Sequence, residues 1–143
     1  VSAKRILAVT VSVGTRVPAY AAALGQVLLA FLPNPQVRAY LDRVDLRAYT
    51  QQTVVDKERL VDLLETIRAQ GYAFGDEGLE PGLHTIAVPI LDARGVAVAA
   101  IGASTQASGV TRELMRDEYL PALLATAHQI GAHARNASTP VPL

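Results

Sequence analysis

Ser104 closes a hydrophobic run and opens onto the small, polar stretch 106–110, a place where a hydroxyl could act as a nucleophile or a hydrogen-bonding group. The surrounding Gly102-Ala103-Ser104-Thr105-Gln106 lacks the second glycine of a nucleophile elbow, and no helix follows at once. Hydrogen bonding to a ligand or to the protein is therefore the favoured role. Three histidines, His84, His128 and His133, raise the question of a metal. His128 and His133 lie five apart, off the i, i+4 spacing that shares a helix face, and read as surface or helix-end residues. Asp76, Glu77 and Glu80 fall in the glycine-rich loop 75–82, where an acid–base pair is conceivable but solvated carboxylates are the ordinary case. Cysteine is absent, which excludes disulfides, thiolate metal sites and a cysteine nucleophile. There is no phosphate-binding loop and no dinucleotide fingerprint, so neither a cofactor nor a metal is expected. Nothing in these residues demands an enzyme.

The elements that must position these groups follow from the hydrophobic pattern. Two β-branched runs, 85–91 and 96–104, flank Asp92-Ala93-Arg94-Gly95 and predict an antiparallel hairpin. A strand beginning at Tyr72 should lead through the acidic loop into that hairpin. Upstream, residues 4–13 read as an inner strand with apolar groups on both faces, followed by a turn at 14–16. A helix over 21–31 carries Leu24, Val27, Leu28 and Phe31 at helical spacing. Gly25 sits inside it at about 1 kcal/mol relative to alanine, which points to close packing. Asn34-Pro35 predicts the start of a second helix, with Asn34 as its cap. Asp56 should cap a third, which carries Leu60, Leu63, Leu64 and Ile67 and ends at Gly71. Thr111 caps a further start, and Pro121 begins or bends the last helix, whose stripe runs from Leu120 to Ala134. Helices segregated beside a largely antiparallel sheet define an α+β fold.

Three places could converge on one pocket: the front of the 21–31 helix, the 75–85 loop and strand, and the strand end 102–104. Free N–H groups at a helix start favour a carboxylate. Ser104, Thr85 and His84 could add directed hydrogen bonds, and Leu24, Leu79, Leu83 and Phe74 an apolar lining. That combination suits a small organic acid.

The bulk composition limits the alternatives. A chain of 143 residues is sized for one domain, and no run approaches the roughly 20 apolar residues of a membrane span. Thirteen basic residues balance thirteen acidic ones, with no basic cluster of the kind a free-standing DNA-binding module carries. A cytoplasmic protein without a membrane partner is the expectation.

The order of the segments resembles the C-terminal effector-binding domain of IclR-type bacterial transcription regulators. Residues 16–30, RVPAYAAALGQVLLA, are similar to the family's Pro…Gly…Leu-Ala segment. Arg68-Ala69-Gln70-Gly71-Tyr72-Ala73 with Asp76-Glu77 resembles its R-x-x-G-[YW]-A…D-x-E-E region, and 82–90 with 99–104 its closing hairpin. The resemblance spans roughly residues 4–133. It implies a GAF-like fold with a curved, largely antiparallel sheet holding a small metabolite. By position, the family's pocket falls on Ala23, Leu24, Gly75, Leu83, Thr85, Gly102 and Ser104. The family's second glutamate is here Gly78, and a polar pocket position is here Gly102, which implies a roomier or less polar pocket. The wording around 16–30, 82–89 and 118–123 is nearest the branch that governs aromatic-acid catabolism, whose members answer to protocatechuate, 4-hydroxybenzoate or β-ketoadipate-like acids.

The expected organisation is an effector-binding domain over 1–136 and a flexible tail over 137–143, with an N-terminal winged helix-turn-helix outside this chain. The expected partners are a small organic acid, operator DNA through that other domain, and further copies of the chain in a homodimer or homotetramer. Two other readings are a ligand-free GAF-like oligomerisation module and a small hydrolase using Ser104.

Overall fold

The computed structural model describes residues 12–137. The strand expected over 4–13 falls outside them except at Ser12 and Val13, which enter a turn closed by Thr15 N–H donating to the Ser12 carbonyl at 3.0 Å. Three helices follow: α1 (Ala23–Ala30), α2 (Asn34–Arg43) and α3 (Lys57–Gln70). Strands β1 (Ala73–Asp76), β2 (Leu83–Leu91) and β3 (Ala97–Gln106) then form an antiparallel sheet in that order. A short α4 (Arg112–Leu114) runs through a π-helical stretch, Met115–Tyr119, into α5 (Leu120–Ala137). The helices and the antiparallel sheet make the α+β class expected from the pattern.

Local chemistry fixes most boundaries. The Asp56 carboxylate accepts from the N–H groups of Glu58 and Arg59, and Gly71 ends α3 with φ 89°, a left-handed conformation that costs glycine little. Thr111 caps α4 through Leu114 N–H at 3.1 Å. Pro121, the second residue of α5, has no N–H to return to the preceding turn, which accounts for the π-helical stretch before it. The start of α2 differs from expectation. Pro33 is the cap and Asn34 the first helical residue, with no side-chain cap bond, and Pro35 is tolerated in the first turn, where an N–H would find no intrahelical partner. At the hairpin turn, Asp92 accepts from the backbone N–H groups of Arg94 (2.8 Å) and Val96 (3.1 Å). The hydrogen-bonded Arg94 guanidinium holds the Asp92 carboxyl below its usual range.

The alternation of β2 divides the core in two. Ala87, with Ala73 and Ala100 of the neighbouring strands, packs against α1 and α3 around Val27, Leu60, Leu64 and Ile67. Val88 and Ile90 face the other way, onto Leu120, Leu123 and Ala127 of α5 with Ile101 and Tyr72. Successive side chains of a strand point to opposite faces, so one strand supplies both cores. Among the described residues, no helix is long and apolar enough to cross a membrane.

Candidate functional site

The start of α1 lies against the face of the sheet that carries the smallest residues. Register sets Gly75 opposite Thr85 and Thr85 opposite Ser104, one row across all three strands. The Thr85 and Ser104 hydroxyl oxygens are 2.8 Å apart. One step along, Ala87 pairs with Gly102. A Cβ added at Gly75 would lie 3.1 Å from the Ala23 Cβ, and one at Gly102 would lie 3.2 Å from a Leu24 methyl and 2.9 Å from the Ile86 carbonyl oxygen. Two glycines thus let the first turn of α1 settle onto the strands. Six of the seven predicted residues are joined by these contacts. Leu83 stands two residues before Thr85, on the same face at the mouth of the hairpin.

The helix start that meets this row has no capping side chain: Ala22 occupies the cap position. The N–H groups of Ala23 and Leu24 have no hydrogen-bond partner among the described residues. Unpaired N–H groups at a helix start carry partial positive charge and orient toward anions. Gly25 has the packing role expected of it, since an added Cβ would come within 2.4 Å of the Ala19 backbone. The chain before α1 is held as well. Gln26 donates to the Tyr20 carbonyl at 2.8 Å, while the Tyr20 hydroxyl donates to the Arg47 carbonyl and accepts from its N–H. Burial pushes the Tyr20 phenol above its ordinary value.

Two expectations need correction. His84 and Phe74 do not face this row. Alternation turns both to the α5 side, where their rings meet edge to face at 5.1 Å. Gly102 does not enlarge a pocket, because the space its missing side chain leaves is taken by Leu24. A cleft of about 720 Å³ runs between β1, α3 and the 51–56 segment, and it touches only Gly75 of the predicted set. Gly102 and Ser104 are exposed, so the row is open at β3.

Sequence reasoning missed the connector 45–53, a polar segment without a motif. Thr50 and Thr53 donate their hydroxyls to the carbonyls of Glu77 and Gly78, both at 2.6 Å, and Thr53 is buried. They pin the acidic loop against the entry to α1. The signal was two threonines three apart in a segment without hydrophobic periodicity, which says nothing about so distant a partner.

With this geometry in place, comparison with known proteins decides the family. Residues 1–132 match the C-terminal domain family of the bacterial transcriptional regulator IclR. The chain belongs to that family. It is 42% identical over 127 residues to the Pca regulon regulatory protein of Pseudomonas putida, covering 89% of this chain and 44% of that protein. The chain therefore spans less than half the length of that relative. The IclR protein of Thermotoga maritima superposes with a TM-score of 0.81 at 34% identity, over 85% of this chain and 49% of the other. The inducer-binding domain of the Acinetobacter PobR transcription factor, a double mutant in complex with 3-hydroxybenzoic acid, superposes with a TM-score of 0.77 at 31% identity, over 82% and 67%. These relatives are transcription regulators, in agreement with the non-enzymatic reading.

Proposed function

We propose that this IclR-family effector-binding domain takes a small aromatic carboxylic acid at the start of α1. The carboxylate would accept from the Ala23 and Leu24 N–H groups, and a ring hydroxyl would meet the Thr85–Ser104 pair. Leu24 and Leu83 would flank the ring. The observation that carries the reading is the meeting of an uncapped helix start with two paired hydroxyls across a glycine-lined row. The complex of the PobR domain with 3-hydroxybenzoic acid supports the aromatic class. Such a ligand shifts a regulator only through unequal affinity for its DNA-binding and non-binding states. Contact with operator DNA belongs to a domain outside this chain, and homodimers or homotetramers provide the states to be shifted.

Exposed Val98, Leu124 and Ile130 favour a second reading, in which the domain serves assembly and binds no effector. A thermal-shift panel separates the two. Protocatechuate, 4-hydroxybenzoate and β-ketoadipate are set against glyoxylate and pyruvate. A true effector at a hundred times its dissociation constant adds about 2.7 kcal/mol, several degrees in Tm for a domain of this size. The expected result is a rise with protocatechuate or 4-hydroxybenzoate and none with glyoxylate or pyruvate. No rise with any of the five overturns the aromatic reading in favour of assembly.

A further inference from the structure

The Thr85–Ser104 hydroxyls have a leucine on either side along the strands. Toward the mouth of the hairpin, the next pair on the same face is Leu83 with Gln106. In the other direction it is Ala87 with Gly102, and neither of these carries bulk. Leu24 closes that end from the helix. Its Cδ2 methyl lies 3.2 Å from where a Gly102 Cβ would stand, and the Ala87 Cβ lies 3.5 Å from the same point. Same-face pairs follow every two residues, about 6.6 Å along a strand. Leu24 and Leu83 thus bound a slot with the two hydroxyls in its middle.

Leu24 is fixed at its backbone and free at its tip. At Gly25, the next residue, an added Cβ would come within 2.4 Å of the Ala19 backbone, and the Gln26 amide donates to the Tyr20 carbonyl at 2.8 Å. On the other side, the Ala23 Cβ lies 3.1 Å from where a Gly75 Cβ would stand. The first turn of α1 therefore cannot slide along the sheet to widen the slot without losing these contacts. The Leu24 side chain meets the strands on one side and solvent on the other, at 40% exposure, while Val27 and Leu29 of the same helix are buried in the core. Truncation at Leu24 alters the slot before it alters the core.

We propose that Leu24 determines the size of the effector: seated over Gly102, it limits the slot to a single ring. The proposal rests on the reading of this row as the effector site. A ring held through its carboxylate by the Ala23 and Leu24 N–H groups, and through its hydroxyl by Thr85 and Ser104, turns one edge to Leu24 and the other to Leu83. A second ring fused along an edge needs space that a leucine fills. Leu24→Ala frees that space, because Gly102 and Ala87 supply nothing to refill it and the helix backbone stays in place. One carbon too many in an apolar pocket already changes affinity about 10–200-fold, so a fused ring should be rejected by at least the lower figure.

The test is isothermal titration calorimetry with 4-hydroxybenzoate and with 4-hydroxy-1-naphthoate, which keeps the carboxylate and hydroxyl opposite each other and adds one fused ring. The parent chain is expected to bind the single-ring acid at least about tenfold more tightly. Leu24→Ala should abolish that preference by admitting the naphthoate, and Leu24→Val should reduce it. Leu124→Ala, at an exposed position of α5, should leave it intact. Circular dichroism checks that each variant is folded. Equal affinity of the parent for the two acids overturns the size limit and leaves the effector site standing. A preference that survives both Leu24 variants, or one lost in Leu124→Ala, does the same. Loss of both acids in folded Leu24→Ala makes Leu24 a plain ring contact and also overturns the proposal. Binding of neither acid by the parent and by Leu24→Ala removes the effector reading of the row itself, and the size limit with it.

Discussion

The two faces of the sheet are built on opposite principles. The face toward α5 is filled by bulk: Val88, Ile90 and Ile101 meet Leu120, Leu123 and Ala127. The face toward α1 is built by omission. Gly75, Ala87 and Gly102 leave room, and Gly25 admits the Ala19 backbone from the helix side. Side-chain packing holds α5 in place; α1 buries Val27 and Leu29 in the core it shares with α3, while its first turn sits close on the strands at Gly75 and Gly102. A helix seated that way brings its unpaired N–H groups within reach of the strands, which a layer of leucines would prevent. The candidate effector site lies on the face where the strands carry their smallest residues.

The contrast implies opposite responses to a change in size. Removing bulk should hurt on the α5 side. Ile90 is 4% exposed and reaches α5, its methyl 3.7 Å from where a Gly131 Cβ would stand. Ile90→Ala should cost about 2–5 kcal/mol, read as the midpoint shift in a urea titration. A loss under 1 kcal/mol would mean that this core can collapse and that the contrast is overstated.

On the α1 side, adding bulk should hurt. Gly25→Ala is the sharpest case because two principles disagree in sign. Helix propensity alone predicts a gain of about 1 kcal/mol. The structure places the new Cβ at 2.4 Å from the Ala19 Cα and carbonyl oxygen, backbone atoms that cannot rotate away. Overpacking of that kind costs about 3 kcal/mol, leaving a net loss of roughly 2 kcal/mol by the same denaturation assay. A stabilised variant would show that propensity governs α1 and that the Ala19 backbone can give way.

Much of this arrangement was legible in the sequence, and the reason differs by element. The hairpin could be read because Asp92 and Gly95 impose the turn locally, and α3 because Asp56 and Gly71 mark both ends. Convergence of the 75–85 segment with 102–104 could be read from the sequence, but the pairing of Gly75 with Thr85 and of Thr85 with Ser104 could not. Nothing local says that residues so far apart share a register. The pairing of Thr50 and Thr53 with the loop was invisible for the same reason. The side on which His84 faces is readable in the sequence, since alternation from Thr85 settles it. Gly102 misled because a missing side chain marks space without telling what fills it.

The smallest expected effect on stability falls on the hydroxyl row itself. Thr85 and Ser104 share one hydrogen bond at 2.8 Å, and it is exposed, so water can replace it. A neutral bond contributes about 0.5–1.5 kcal/mol when net accounts are drawn, and exposure puts this one at the low end. Thr85→Val keeps the shape of the side chain and removes the hydroxyl. Its unliganded domain should therefore melt within a degree or two of the parent. Binding should respond more. If the pair meets a ring hydroxyl, Thr85→Val leaves that group of the ligand unpaired in a partly desolvated site, and affinity for the aromatic acid should fall about tenfold, or 1.4 kcal/mol. The two readouts thus move apart on this face, whereas on the α5 face Ile90→Ala should lower Tm with little change in affinity among the molecules that remain folded. Equal loss of stability and affinity in Thr85→Val would make the pair a structural bond between strands and shift the site away from it.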